Sequence, residues 1–379
     1  MTHRIVVLGA GYAGLAAAKR LARLLRRTDV KITLVNTADR FVERVRLHQL
    51  AAGQQLRDLP LRDLLTGTGV ELRIAHVTAI DAAHRTVQVG AAPHSIGYDT
   101  LVYALGSRAD VDATPGAAEH AYTVAGAPQA LRLQRRVAQI ASGGALAVVG
   151  GGLTGIEVAT EMAESYPDLR VELHTAADAG RWLPRRAQHH VQQALDRWEI
   201  TLRSRTSVAE VRQNAVVCAS GKTFTADAVV WAAGFRAPAT AAEAGFAVDE
   251  RGRMIVDETL CSVSHPEVFA AGDAAAGHAA DGAETRMSCQ TAMPMGQQAA
   301  DAIAARLTGR KPEPARIRYA FTNISLGRRD GITQFTHADD TPRGAMLTGR
   351  AAAVFKEAIV RSTVLTMRHP GPMRLGLRP

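Results

Sequence analysis

Cysteine is scarce in this chain: Cys218, Cys261 and Cys289 are the only three, and they stand at no paired spacing. That excludes a disulfide scaffold, a cysteine-based zinc or iron–sulfur site and a C-x-x-C redox centre, and leaves three buried thiols as the expectation. No metal site is expected. Aromatic residues make up 4% of the 379 residues, while alanine and arginine are frequent, so helices should be plentiful. No apolar run approaches the ~18 residues that suggest a membrane span. The opening "MTHRIVVLGAG" enters a strand pattern at once. It has neither a signal-peptide pattern nor the glycine at position 2 that myristoylation needs, so a cytoplasmic protein is expected. The net charge of +9 is spread along the chain. It could attract nucleotides, anionic lipid or nucleic acid, but no recognition helix or aromatic RNA-binding motif accompanies it. Nucleic acid is therefore not an expected partner.

What the chain does have is one glycine pattern, twice. In "RIVVLGAGYAGLAAAKRLARLL" a β-branched run ends in Gly9-x-Gly11-x-x-Gly14 and passes into an alanine-rich helix. The first glycine permits a tight turn, the second lets backbone approach a pyrophosphate, and the third lets helix pack on strand. The helix N-terminus then offers free N–H groups to the phosphates. "GALAVVGGGLTGIEVATEMAE" repeats the logic with Gly150, Gly152 and Gly155. Each pattern is followed by another strand, "KITLV" and "RVELHT". That framing makes each a dinucleotide fingerprint rather than a bare glycine-rich turn. Two fingerprints imply two dinucleotides, and a nicotinamide facing a flavin is the commonest such pair.

On these residues the sequence resembles the two-dinucleotide-domain flavoproteins of the pyridine nucleotide-disulfide oxidoreductase fold. "YDTLVYALGS" (98–107) and "ADAVVWAAGFRAP" (226–238) resemble the strands crossing between their domains. "HPEVFAAGDAAA" (265–276) resembles their flavin motif, which implies that Asp273 binds the ribityl chain; an N-cap would also suit it. "ADRFVERVRLHQLAAG" (38–53) lacks the redox cysteines of the disulfide-reducing branch. "ESYPDLRVELHTAADAGRWLP", "SLGRRDGITQF" (325–335) and the tail "TMRHPGP" resemble ferroptosis suppressor proteins, relatives of apoptosis-inducing factors that reduce quinones with NAD(P)H. Type II NADH dehydrogenases are the next resemblance.

The fold class expected is α/β with two Rossmann-like domains. An FAD-binding domain of about residues 1–110 and 235–308 would carry an inserted NAD(P)H-binding domain, 111–234, and a small C-terminal region, 309–379. The resemblance implies that FAD and NAD(P)H are lined by Gly9, Gly11, Tyr12, Ala13, Gly14, Asn36, Ala104, Gly106, Gly150, Gly152, Gly155, Thr175, Gly234, Gly272, Asp273, Gln290 and Met293. Asn36 and Thr175 stand where an acidic residue usually holds a ribose. Asn36 brings no charge, and Thr175 removes the repulsion of a 2′-phosphate, with Arg181 and Arg185 nearby. NADH and NADPH both remain open.

The resemblance further implies that Glu157 orients the nicotinamide and that Gln290, with Gln297, lies near the acceptor. A helix is expected from about Met293–Gly296 to Leu307, its N-terminus aimed at the flavin. A tail helix should carry Val354, Phe355, Ala358, Ile359 and Leu365 on one side, with Arg350, Lys356, Arg361 and Arg368 as its basic residues. It either covers the acceptor pocket, with Lys356 among the catalytic candidates, or lies on an anionic membrane. His48 is a candidate proton donor, though a lone histidine more often serves structure. The expected function is hydride transfer from NAD(P)H through FAD to a small-molecule acceptor of the quinone class. A tailoring oxidoreductase acting on an aromatic metabolite and a non-enzymatic NAD(P)H sensor are the alternatives. A peripheral membrane contact and a homo-oligomer are compatible with either.

Overall fold

The computed structural model describes residues 2–90, 94–279 and 282–368. The first β-branched run forms the strand His3–Leu8, whose last four residues are buried. Such a run suits a strand covered on both faces. It lies in the middle of a five-stranded parallel sheet ordered Val268–Ala270, Thr100–Tyr103, His3–Leu8, Val30–Asn36, Glu71–Ile74. The chain turns at Gly9 into helix α1 (Tyr12–Leu24), buried over most of its length. A short helix, α2 (Leu47–Ala51), follows the second strand.

The second fingerprint repeats this plan. Ala145–Val149 is central in another five-stranded parallel sheet, ordered Thr201–Arg203, Arg170–His174, Ala145–Val149, Ala228–Trp231, Ala121–Tyr122. The glycine turn leads into α3 (Leu153–Ser165), and α4 (Arg185–Arg197) follows the next strand. The segments expected to cross between domains divide differently. Thr100–Tyr103 and Ala228–Trp231 are inner strands of the two sheets. The crossing itself is a small antiparallel ribbon of Arg108–Ala109 and Phe235–Arg236.

Helix α5 (Cys289–Leu307) starts four to seven residues earlier than expected. The cap is Ser288, whose side chain accepts from the Thr291 N–H, and Pro294 lies inside the helix. Gly296 is therefore an interior contact: a Cβ there would stand 2.1 Å from the Ala13 carbonyl oxygen, so α1 and α5 cross backbone to backbone. The last described elements are an antiparallel sheet of Phe321–Ser325, Gly331–Thr336 and Pro342–Thr348, then α6 (Gly349–Arg368).

The apolar side expected on α6 is split. Phe355 meets Phe321 and Phe335 edge-on, and Ala352, Val364 and Met367 are buried, but Val354 and Leu365 are 69% and 60% exposed. The HPGP part of the tail lies outside the described residues. Among the described residues no helix is long and apolar enough to cross a membrane. Of the three thiols, Cys218 and Cys261 are buried, whereas Cys289, at the start of α5, is only half-buried.

Candidate functional site

The two glycine turns have the same steric signature. A Cβ on Gly14 would lie 1.8 Å from the Gly9 carbonyl oxygen, and one on Gly155 would lie 1.8 Å from that of Gly150. A Cβ on Gly9 would meet the Ala104 oxygen at 2.4 Å, and one on Gly150 the Ala232 oxygen at 2.5 Å. At Gly11 and Gly152 nothing lies within 4 Å. These two residues are the N-caps of α1 and α3, and neither helix start carries a side-chain cap. Each turn is thus closed against its own sheet and open at the helix N-terminus, the shape a pyrophosphate fits.

Around the first turn, Gly272–Ala274 is a tight turn that sets Asp273 opposite α1, with Gly272 against Ala13. Asp273 accepts from Ser107 Oγ at 2.7 Å and faces Arg44 Nη1 at 3.5 Å. Arg44, whose guanidinium burial pulls down and Asp273 partly restores, also stacks over Phe235. Nothing in the sequence singled it out; a cation on the stretch that replaces the redox cysteines was the available signal. Ala104 and Gly106 immediately precede Ser107, with Gly106 facing Arg44. Tyr12 is buried, with its ring edge-on to Phe41. Met293 is buried in the core shared by α1 and α5. Gln290 Oε1 accepts from Arg286 at 2.9 Å, and Gln297 is buried.

Three expected residues lie away from Asp273, at the ends of strands. Asn36 already uses its amide inside the turn, accepting from Ala10 N at 2.9 Å and donating to the Ala38 oxygen at 2.7 Å. Thr175 is buried and donates to the Ala177 oxygen. Gly234 lies at the crossing ribbon, where its oxygen accepts from Asp110 N.

The other catalytic candidates converge. Glu157, one turn into α3, accepts from Lys356 Nζ of α6 and from Ser325 N at 3.0 Å. Lys356 also donates to Ser325 Oγ at 2.8 Å. His48 of α2 places Nδ1 3.8 Å from Glu157 Oε2. Burial pushes the Glu157 carboxyl up, but Lys356, His48 and Ser325 together outweigh it and hold it below the ordinary range. Burial drives His48 down to about 4, against the pull of Glu157. Burial and then Asp273 push the Cys289 thiol up to about 11, against the pull of Lys356.

A fourth group, Glu161, was not anticipated. It lies one turn beyond Glu157 on the same face of α3, and burial pushes its carboxyl up to about 7. The signal was a glutamate four residues after Glu157, the spacing that shares a helix face.

The hairpin loop of "SLGRRDG" docks on the second sheet's helices. Asp330 accepts from His190 at 2.8 Å and pairs with Arg197, Trp198 Nε1 donates to the Leu326 oxygen at 3.1 Å, and Arg328 N donates to Glu164. Burial raises the Asp330 carboxyl, but its partners outweigh that and hold it low. A cavity of about 350 Å³ opens between Leu153 at the second turn, Trp182, and Thr322, Gln334 and Arg286 on the C-terminal side.

The sequence pattern of the pyridine nucleotide-disulphide oxidoreductase family matches residues 3–296. An NADH dehydrogenase-like protein of Mycobacterium tuberculosis is 32% identical over 378 residues, covering 94% of this chain and 92% of its own. A type II NADH:quinone oxidoreductase of Staphylococcus haemolyticus is 28% identical over 388 residues, covering 94% of each. The sulfide:quinone oxidoreductase from Aquifex aeolicus shares the fold, with a TM-score of 0.81 at 21% identity over 97% of this chain and 91% of that one.

Proposed function

The chain belongs to the pyridine nucleotide-disulphide oxidoreductase family, and from that premise we propose that it is an FAD-dependent oxidoreductase passing a hydride from NAD(P)H through the flavin to a quinone. The observation carrying this reading is the pair of glycine turns with matching clash distances and open N-caps. FAD belongs at the first, beside Asp273 and Arg44, and NAD(P)H at the second. Residues 1–110 and 235–308 are taken as the FAD-binding domain, 111–234 as the NAD(P)H-binding domain and 309–379 as the C-terminal region.

When bound, the flavin supplies the two-electron chemistry that joins nicotinamide oxidation to acceptor reduction. The chain's own residues do the rest. The unpaired N–H groups of α1 and α3 take the two pyrophosphates. Asp273, fixed by Ser107, offers its carboxylate to a ribityl hydroxyl. Glu157, kept ionised by Lys356, orients the nicotinamide one turn into α3, the helix whose first residue, Leu153, lines the 350 Å³ cavity. The N-terminus of α5 favours negative charge near Cys289 and Gln290. No cysteine stands in 38–53 to carry electrons onward, and His48 occupies α2 there. The acceptor therefore meets the flavin directly.

The α6 stripe of Val354, Ala358 and Leu365, flanked by Arg361 and Arg368, supports a peripheral contact with an anionic membrane, where a lipid quinone resides. The test is stopped-flow kinetics. NAD(P)H should bleach the bound FAD, and benzo- or naphthoquinones should restore its colour far faster than dioxygen. Equal reoxidation by quinone and dioxygen would refute the quinone assignment.

A further inference from the structure

Two buried polar atoms face each other without partners: Nε2 of His48 and Oε2 of Glu161, 3.9 Å apart. A buried polar atom left unpaired is costly, and a well-packed protein seldom keeps two of them opposed without use. On its other side the same imidazole reaches Glu157, so it bridges two carboxyls of α3 that lie one turn apart. Inward, the row ends at the Glu157–Lys356 pair, which Ser325 also holds. Outward, Glu161 Oε1 accepts from Gln54 Nε2 and lies 3.9 Å from Arg328, which is 38% exposed. The row therefore runs from the Glu157–Lys356 pair out to Glu161, whose neighbour Arg328 reaches solvent.

We infer that Glu161 and His48 form the path by which the solvent proton consumed in the reaction reaches the Glu157–Lys356 pair. This rests on the quinone reading above. Reduction of a quinone by NAD(P)H takes up one proton beyond the hydride: NAD(P)H, H⁺ and quinone give NAD(P)⁺ and quinol. In the relay, the Glu161 O–H bond breaks as His48 Nε2–H forms, and His48 Nδ1–H breaks as Glu157 gains the proton. Glu157 passes it to the reduced acceptor, Glu161 is reprotonated from water, and the imidazole returns to its Nδ1–H tautomer before the next turnover. A shift of about 1 Å brings each 3.8–3.9 Å gap to hydrogen-bonding length.

The environment suits each member. Burial makes His48 a neutral imidazole, with one nitrogen to donate and one to accept. Glu161, raised to about 7, exchanges its proton near neutrality. Burial raises it most; Arg328 from the hairpin and Gln54 lower it, Glu164 and Glu157 on its own helix raise it, and His48 of α2 faces it at 3.9 Å.

The experiment compares the FAD-loaded wild type with Glu161→Gln, which keeps the shape and the Gln54 contact but carries no proton. In anaerobic stopped flow, reduction by NAD(P)H should change less than about twofold, while reoxidation by a benzoquinone should slow by about 10²-fold. In the wild type that reoxidation should fall as pH rises through about 7, and the variant should lose this dependence. A second readout needs no turnover: the infrared C=O stretch of a protonated carboxyl should titrate near 7 in the wild type, with or without FAD, and be missing in the variant. His48→Asn should slow the same half-reaction, and serves if Glu161→Gln does not fold. A flat wild-type pH profile, or reoxidation at wild-type speed in either variant, overturns the relay. A wild type that quinones do not reoxidise instead removes the acceptor reading beneath it, whatever the infrared band does.

Discussion

The two turns allow a prediction in which neighbouring glycines fail for opposite reasons. Gly11 has φ −74° and ψ −165°, ordinary extended backbone, and a Cβ added there meets no protein atom within 4 Å. Gly11→Ala should therefore leave the apoprotein as stable as the wild type, or more stable by about 0.4–1 kcal/mol through the unfolded chain. The open space beside it is where the FAD pyrophosphate must come. A methyl there pushes the phosphate off the α1 N–H groups. Two charge-assisted bonds at about 1.5–3 kcal/mol each amount to about 3–6 kcal/mol, or a Kd raised about 10²–10⁴-fold. Gly14→Ala behaves differently: its methyl would lie 1.8 Å from the Gly9 oxygen, so strand and helix must separate and the fold itself suffers. FAD fluorescence titration and apoprotein melting would separate the two effects. The internal control is Gly152→Ala, which should keep FAD and lose only NAD(P)H affinity. Wild-type FAD affinity in Gly11→Ala would refute this account of the cradle.

Asp273→Ala should release FAD, because the ribityl hydroxyl loses a charged acceptor worth about 1.5–3 kcal/mol and Arg44 is left unpaired; the flavin retained after gel filtration reports it. Thr175→Glu should raise the NADH-to-NADPH ratio of kcat/KM by at least about tenfold, about 1.4 kcal/mol, by repelling the 2′-phosphate; an unchanged ratio would place the ribose elsewhere. Glu161→Gln should stabilise the protein in alkali. Because the folded-state carboxyl is raised from the ordinary range to about 7, its contribution is fully present below about 4.5 and lost as pH rises through 7. The variant escapes that loss, so its melting temperature should exceed the wild type's at pH 8, by up to about 3 kcal/mol in stability, and match it near pH 4.5.

The parts legible in the sequence were those whose chemistry is local. A glycine that must lack a Cβ announces itself within six residues, and Glu157 follows its fingerprint at fixed distance. What stayed hidden depends on residues far apart in the chain. Lys356 is 199 residues from the carboxylate it neutralises. Arg44 gains its meaning only when Asp273, 229 residues on, arrives beside it. The start of α5 was placed too late because the capping hydroxyl, Ser288, lies ahead of the Met293–Gly296 stretch taken for its first turn. On α6, periodicity identified an amphipathic helix but could not say that Val354 and Leu365 would remain outside while Phe355 found two phenylalanines.

The clasp between the "SLGRRDG" hairpin and α4 bears on how such proteins can be recombined. Asp330 takes its partners from His190 and Arg197, and Leu326 takes the indole of Trp198. The C-terminal segment that supplies Lys356 to the site is thus keyed to a helix more than 120 residues upstream. A chimera that borrows the tail of a relative to change its acceptor would need the matching α4 surface as well. Without it, a foreign carboxylate or loop would be buried against cations it does not fit, and Lys356 would lose the register that delivers it to Glu157. The acceptor end of this protein should therefore be inherited in two separated pieces, and exchanged only as a pair.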